Sequence, residues 1–238
     1  MKLIKELKNI AVFILCLHNI SGYSVYAQDP LPVELLRVKD NWIDIALPKV
    51  KSPTIFSLEP SKNLLTIKTD NSGSLYLLKT IFSSSIATKF SWEWQTEKVF
   101  QNWKEGSKSH DDFPLRLFFI FYDQKPTEIN QQKTITWRSI QPDSALAYIW
   151  TPRETSSEFI PSPYTKIVQM KALQTAFINS FAWAPESVQL DQDYQKAFHD
   201  KIPPFFRISI ISDSDNLAEN NTAKIKNLTM EGPVAPGL

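Results

Sequence analysis

The sequence predicts an all-β fold, a jelly-roll-like β-sandwich with one short helix near residues 187–199. Many short runs rich in aromatic and β-branched residues follow one another along the chain. Clusters of Pro, Ser, Asn and Asp separate them, with sixteen prolines against five glycines. Hardly any helical period falls between the runs, and strands at such spacing close into a sandwich or barrel rather than a βαβ sheet.

Strands are expected at 42–46, 54–58, 64–69, 75–81, 89–96, 115–123, 135–140, 145–150, 164–172, 180–184, 204–212 and 223–230. Successive strand residues face opposite ways. In 89–96 this puts Phe90, Trp92 and Trp94 on one face and Ser91, Glu93 and Gln95 on the other, the pattern of a half-buried strand. In 115–123 both faces are apolar, Leu117, Phe119 and Phe121 against Phe118, Ile120 and Tyr122, so a central strand covered on both sides is expected. The helix follows from Leu190, Tyr194, Ala197 and Phe198, which fall on one face, with Ser187 as cap and Pro203 as stop. Residues 97–104 have the spacing of a second, shorter helical turn.

The N-terminus reads as a secretory signal peptide over residues 1–27. Lys2, Lys5 and Lys8 precede an apolar run from Ile10 to Leu17, and Val25-Tyr26-Ala27 supplies a cleavage site. The run is too short to span a bilayer as a helix, and no later stretch is long enough either. Cys16, the only cysteine, lies inside it, so the mature chain has no disulfide, thiolate nucleophile or Cys-ligated metal. Residues 28–40 read as a lead-in segment and 41–238 as one sandwich domain. The formal charge of +1 includes three lysines and one glutamate of the signal. A mature chain near neutrality has no basic excess for phosphate, which argues against a nucleic-acid partner. An exported protein, periplasmic or secreted, is expected.

Three constellations can carry chemistry. Asp213, Asp215 and Asn216 follow an apolar strand and offer oxygens at i, i+2 and i+3, the start of a loop suited to a hard cation such as calcium. The competing reading is a turn in which these short side chains bond their own backbone. Asp111, Asp112 and Arg116 form the second group, either a ligand-binding site or a structural ion pair at a strand entrance. The third is aromatic: of seven tryptophans, Trp103 and Trp137 lie in the less apolar neighbourhoods and are the candidates for exposed sugar-stacking faces. No Gly-x-Ser-x-Gly elbow or phosphate-cradling glycine loop occurs.

Several segments in order resemble a known family: Phe90-Ser91-Trp92-Glu93-Trp94, Asp111 to Leu117, Ala147-Tyr148-Ile149-Trp150, Pro163-Tyr164-Thr165, Asp193-Tyr194 with Ala197-Phe198, and Ile210 to Asn216. The set is similar to the bacterial exported family known as domain of unknown function 3047, roughly from Trp42 to Met230. The resemblance implies an exported sandwich and brings no established activity or catalytic residue. Its aspartate–arginine and acidic-loop positions match Asp111, Asp112, Arg116, Asp213, Asp215 and Asn216. Glu93 stands where the family often has Arg, and His199 where a glycine usually follows the helix.

The sequence therefore points to a non-enzymatic binding module for carbohydrate or another cell-envelope ligand, with calcium as the candidate cofactor. Two alternatives stand beside it: a glycan hydrolase using carboxylates among Asp111, Asp112 and Glu93, and a structural envelope protein that binds other proteins. Hydrolases of this kind need two carboxyl groups across one open cleft.

Overall fold

A computed structural model describes residues 32–85, 88–128, 136–152, 154–155, 157–175 and 182–232. The strands, in chain order, are β1 (Val33–Glu34), β2 (Trp42–Ala46), β3 (Ile55–Glu59), β4 (Leu64–Asp70), β5 (Gly73–Leu78), β6 (Phe82–Ser83), β7 (Lys89–Thr96), β8 (Phe113–Tyr122), β9 (Ser144–Thr151), β10 (Ile160–Pro161), β11 (Val168–Thr175) and β12 (Ala184–Gln189). The helix α1 (Leu190–Phe198), then β13 (Phe205–Asp213) and β14 (Asn220–Glu231), complete the chain. They form two sheets. One has the order β12-β7-β14-β4-β3, with β1 also paired to β14. The other has the order β10-β11-β9-β8-β13-β5-β2, with β6 also paired to β13. This is the expected jelly-roll-like sandwich with a single short α-helix among the described residues.

Strand alternation sets the core between the sheets. Phe90, Trp92 and Trp94 of β7 point inward and meet Phe119, Tyr148, Trp150 and Phe206 of the facing sheet. The ring centroids of Phe90 and Phe119 lie 4.7 Å apart, edge to face, a geometry worth about 0.5–1.5 kcal/mol beyond the area it buries. The second sheet is also covered on its outer face: Phe113, Phe118, Ile120 and Tyr122 of β8 pack with Ile211, Ala147 and Ile149 beneath Trp103, Ile140 and Ile160. This is why β8 is apolar in both registers. Every one of its ten residues is buried.

Some local expectations are corrected. Ser187 does not cap the helix; it pairs with Ser91 inside β12, and α1 begins at Leu190. The strand expected at 180–184 begins instead at Ala184, residues 180–181 lying outside the described set. Pro185 is tolerated there because β12 is an edge strand, where a missing N–H breaks no ladder. In the run 135–140, Trp137–Ser139 is a 3-10 turn rather than a strand, and residue 135 lies outside the description. Residues 97–104 form turns without a helix, turning Phe100 and Trp103 inward. Part of the expected lead-in belongs to the sandwich, since Val33–Glu34 pair with β14 and Leu36 is fully buried. The signal segment, residues 1–27, lies outside the described residues. Among the described residues no helix is long and apolar enough to cross a membrane.

The residue after α1 gives its departure from glycine a physical meaning. His199 has φ 58°, and its N–H donates to the Gln195 carbonyl at 2.9 Å, closing the helix in the left-handed conformation that glycine adopts most readily. Within α1, Asp193 is buried and accepts from the Tyr148 hydroxyl at 2.9 Å and from Lys171 at 2.8 Å, which ties the helix to β9 and β11.

Candidate functional site

The two acidic segments, a hundred residues apart in sequence, meet at one end of the second sheet. Antiparallel pairing of β8 with β13 sets Ile211 opposite Arg116 and, after a register shift, Asp213 opposite Phe113. Arg116 shares the outer face of β8 with Phe118. Its guanidinium makes ion pairs with Asp213 and, at 3.3 Å, with Asp111. It also lies 4.8 Å from the Phe113 ring centroid.

The loop after β13 is held by bonds to other segments. Asp213 Oδ1 accepts the Phe113 N–H at 3.1 Å. Asp112 accepts the Asn216 side-chain amide and the Leu217 N–H, each at 2.7 Å. Ser214, fully buried, exchanges bonds with Ser72, and Thr54 donates to the Ser212 carbonyl at 2.9 Å. Gly73 permits this approach, since a Cβ there would stand 3.2 Å from the Asp213 Cβ. Asp215 bonds its own backbone, as a self-bonded turn would, while Asp112, Asp213 and Asn216 bond across segments.

Its electrostatics are unbalanced. Four carboxyl groups, those of Asp111, Asp112, Asp213 and Asp215, surround one buried guanidinium. Burial pushes Asp213 up to about 7, against the pull of Arg116, with Asp112 and Asp111 adding to the rise. Burial likewise raises Asp111 to about 6, again opposed by Arg116. Asp215 is also raised, by burial and then by Asp112. Burial works against the charge of Arg116, but Asp213, Asp111 and Asp112 outweigh it and hold the guanidinium above its ordinary value.

Asp112, Asp213 and Asp215 each present a carboxylate oxygen, all within 4.8 Å of one another. Such oxygens fit a hard cation in kind, and backbone carbonyls and waters would have to complete the six to eight that calcium takes. The sequence reading grouped Asp213 and Asp215 with Asn216. In the fold, Asn216 turns its amide nitrogen onto Asp112, and Asp112 is the third carboxylate of the cluster. That contribution has no local signature, because it arrives through the β8–β13 pairing.

The aromatic candidates change as well. Trp103 is 4% exposed, its ring edge-on to Phe113 at 5.8 Å, so it has no face free for a sugar. The side chain of Trp137 lies outside the described residues. Among the described residues, the ring that stands open is Tyr164, 55% exposed. It was expected inside a strand, but β11 starts at Val168 and leaves Tyr164 on the loop before it. Its hydroxyl donates to the Lys108 carbonyl at 2.8 Å, and Lys108 Nζ lies 5.6 Å from the ring centroid. Burial and then the Asp111 carboxylate raise its phenol, while a hydrogen bond with Asn216 lowers it, which sets the ring beside the acidic cluster. Pro163 before it was the available sequence signal, since X-Pro steps favour turns.

Glu93 is not brought to this site. It lies on the outer face of the other sheet, bonded to Lys226 at 3.2 Å and to the Asn227 amide at 2.9 Å. Asp111 and Asp112 are buried among their partners. The carboxylate pair of the hydrolase alternative is therefore not assembled across a cleft.

Residues 40–229 match the model of the family described as Protein of unknown function (DUF3047). The chain belongs to this family. No curated protein matches it. Among solved structures it is similar to the xyloglucanase domain of NopAA, a type three effector from Sinorhizobium fredii, at 10% identity and TM-score 0.45, covering 82% of this chain and 95% of that one. It is also similar to lectin I-B4 from Griffonia simplicifolia, at 11% identity and TM-score 0.37, covering 83% and 95%. A family 11 carbohydrate-binding module from Clostridium thermocellum matches at 10% identity and TM-score 0.38, covering 83% and 91%. At such TM-scores these likenesses carry no weight for ligand or activity.

Proposed function

We propose that this DUF3047 chain is an exported, non-enzymatic binding module that takes a cell-envelope glycan at the acidic end of β8 and β13, with a calcium ion bracing the loop at Asp213. The carrying observation is the open Tyr164 ring beside Asp111, Asn216 and Asp213. A sugar presents a C–H face and a rim of hydroxyls. An exposed tyrosine offers an apolar face to the first. Fixed carboxylate and amide groups, or a cation held by them, offer partners to the second. The cross-segment hydrogen bonds of Asp112, Asp213 and Asn216 support the reading, because groups already held in place lose little entropy on binding.

Affinity electrophoresis of the full mature chain through gels containing envelope polysaccharides tests this reading. Retention on at least one polysaccharide is expected, and Tyr164→Ala should abolish it. The stability of that variant should stay within about 0.5 kcal/mol, as for other surface changes. Absence of retention on any polysaccharide, or equal retention of Tyr164→Ala, would contradict the proposal.

A further inference from the structure

Opposite charges stand apart in one groove at the end of the first sheet. The groove encloses about 500 Å³ over the ends of β3, β4 and β14, and its walls include Pro53, Ile55, Lys68, Asp70, Glu97 and Asn220. Strand register fixes their places. Lys68 of β4 stands opposite Ile55 of β3 on one side and Thr222 of β14 on the other. The Glu97 N–H donates to the Thr222 carbonyl at 2.9 Å, so Glu97 extends the same row one strand further. Asp70, opposite Asn220, is two residues on from Lys68 and faces the same way. Neighbouring strands lie about 4.8 Å apart, and residues two apart along a strand about 6.7 Å. The Lys68 backbone is therefore roughly 10 Å from that of Glu97 and roughly 7 Å from that of Asp70. All three side chains are exposed, and none makes an ion pair among the described residues. The charges around them are already engaged, Lys98 with Glu219 at 2.8 Å and Lys226 with Glu93 at 3.2 Å.

Both signs of charge thus face one concave site without neutralising each other. A polyanion there would meet Asp70 and Glu97, and a polycation would meet Lys68, so like charges oppose either. A small molecule carrying both charges answers both. Beside Lys68 stands Ile55, 60% exposed, more than any other large hydrophobic among the described residues. The volume lies in the usual range for small-molecule sites. We infer that this groove binds a zwitterionic α-amino acid with an apolar side chain. Its carboxylate meets the Lys68 ammonium and its own ammonium meets Asp70, with Glu97 adding negative charge on the far side. Its side chain covers Ile55 and Pro53, which removes apolar surface from water. The site shares no residue with the acidic cluster and does not rest on the glycan reading.

Calorimetric titration of a chain of residues 28–238 with leucine tests this. Leucine amide and N-acetyl-leucine each keep the side chain and lose one charge, while glycine keeps both charges and loses the side chain. Leucine is expected to bind saturably, and all three analogues more weakly. Lys68→Gln and Asp70→Asn should each weaken leucine about tenfold, the worth of one charge-assisted hydrogen bond. Each variant should also erase one preference. Lys68→Gln should bind leucine and leucine amide alike, and Asp70→Asn should bind leucine and N-acetyl-leucine alike. Both side chains are exposed, so melting without ligand should be unchanged in either variant. No saturable binding of leucine, equal binding of leucine and either singly charged analogue by the unsubstituted chain, or undiminished leucine binding in both variants would overturn the inference.

Discussion

Arg116→Met is expected to lower folding stability by about 3–5 kcal/mol at pH 7.5, and by much less at pH 5. The guanidinium is the single cation among the described groups beside Asp111, Asp112, Asp213 and Asp215, and it is buried with the first three. Removing it leaves carboxylates with neither solvent nor counter-charge. At pH 5 the Asp213 and Asp111 carboxyls, raised to about 7 and about 6, are protonated in the fold and the penalty shrinks. The same sign appears in the wild type. The folded values, about 7 for Asp213 and about 6 for Asp111, stand above the ordinary 3.8. Between these limits the folded chain binds more protons than the unfolded one, so the stability is full below about pH 4 and is lost as pH rises through 6 to 7. Chemical denaturation of both proteins at the two pH values measures the effect. A loss that does not change with pH would mean that Arg116 acts through packing alone.

Phe206→Ala should cost about 3–5 kcal/mol at either pH. Phe206 is fully buried at the centre of the aromatic layer between the sheets. Its ring lies 5.3 Å from Phe82, 5.8 Å from Phe90 and 6.1 Å from Phe119, so it joins β6, β7 and β8 through one side chain. Those neighbours belong to paired strands and cannot collapse into the space, and the cavity term is then retained. Urea titration at pH 5 and 7.5 should give the same loss, in contrast to Arg116→Met. A cost under about 1 kcal/mol would show that the layer relaxes and is not close-packed.

The strands that alternate cleanly were legible in the sequence. The bounds of β2 and β7 are those expected, and the two-sided apolar pattern of β8 correctly marks a strand covered by the facing sheet and by loops. Where the expectation failed, a distant partner decides the conformation. Ser187 has the chemistry of a helix cap, but Ser91 claims it for β12. Trp103 sits among polar neighbours, yet its ring turns under them onto Phe113. The acidic site was half visible. Asp213, Asp215, Asp111, Asp112 and Arg116 stood out as residue types, while their meeting depends on the β8–β13 register and on the absence of a side chain at Gly73. Tyr164 was missed as a site residue because its exposure follows from where β11 begins, which its own sequence does not announce.

Melting of a chain of residues 28–238 in saturating calcium against chelator, at pH 7.5 and pH 5, is the most direct test of the ligand-holding character of the acidic end. At pH 7.5 the Asp213 carboxyl, raised to about 7, is mostly ionised beside the oxygens of Asp112 and Asp215. Calcium at a hundredfold excess over its Kd should then stabilise the fold by about 2.7 kcal/mol. The gain should shrink at pH 5, where a proton holds the raised Asp213 carboxyl, and should vanish in Asp215→Asn. An unchanged melting temperature at pH 7.5, or an equal rise in Asp215→Asn, would contradict a cation at this site.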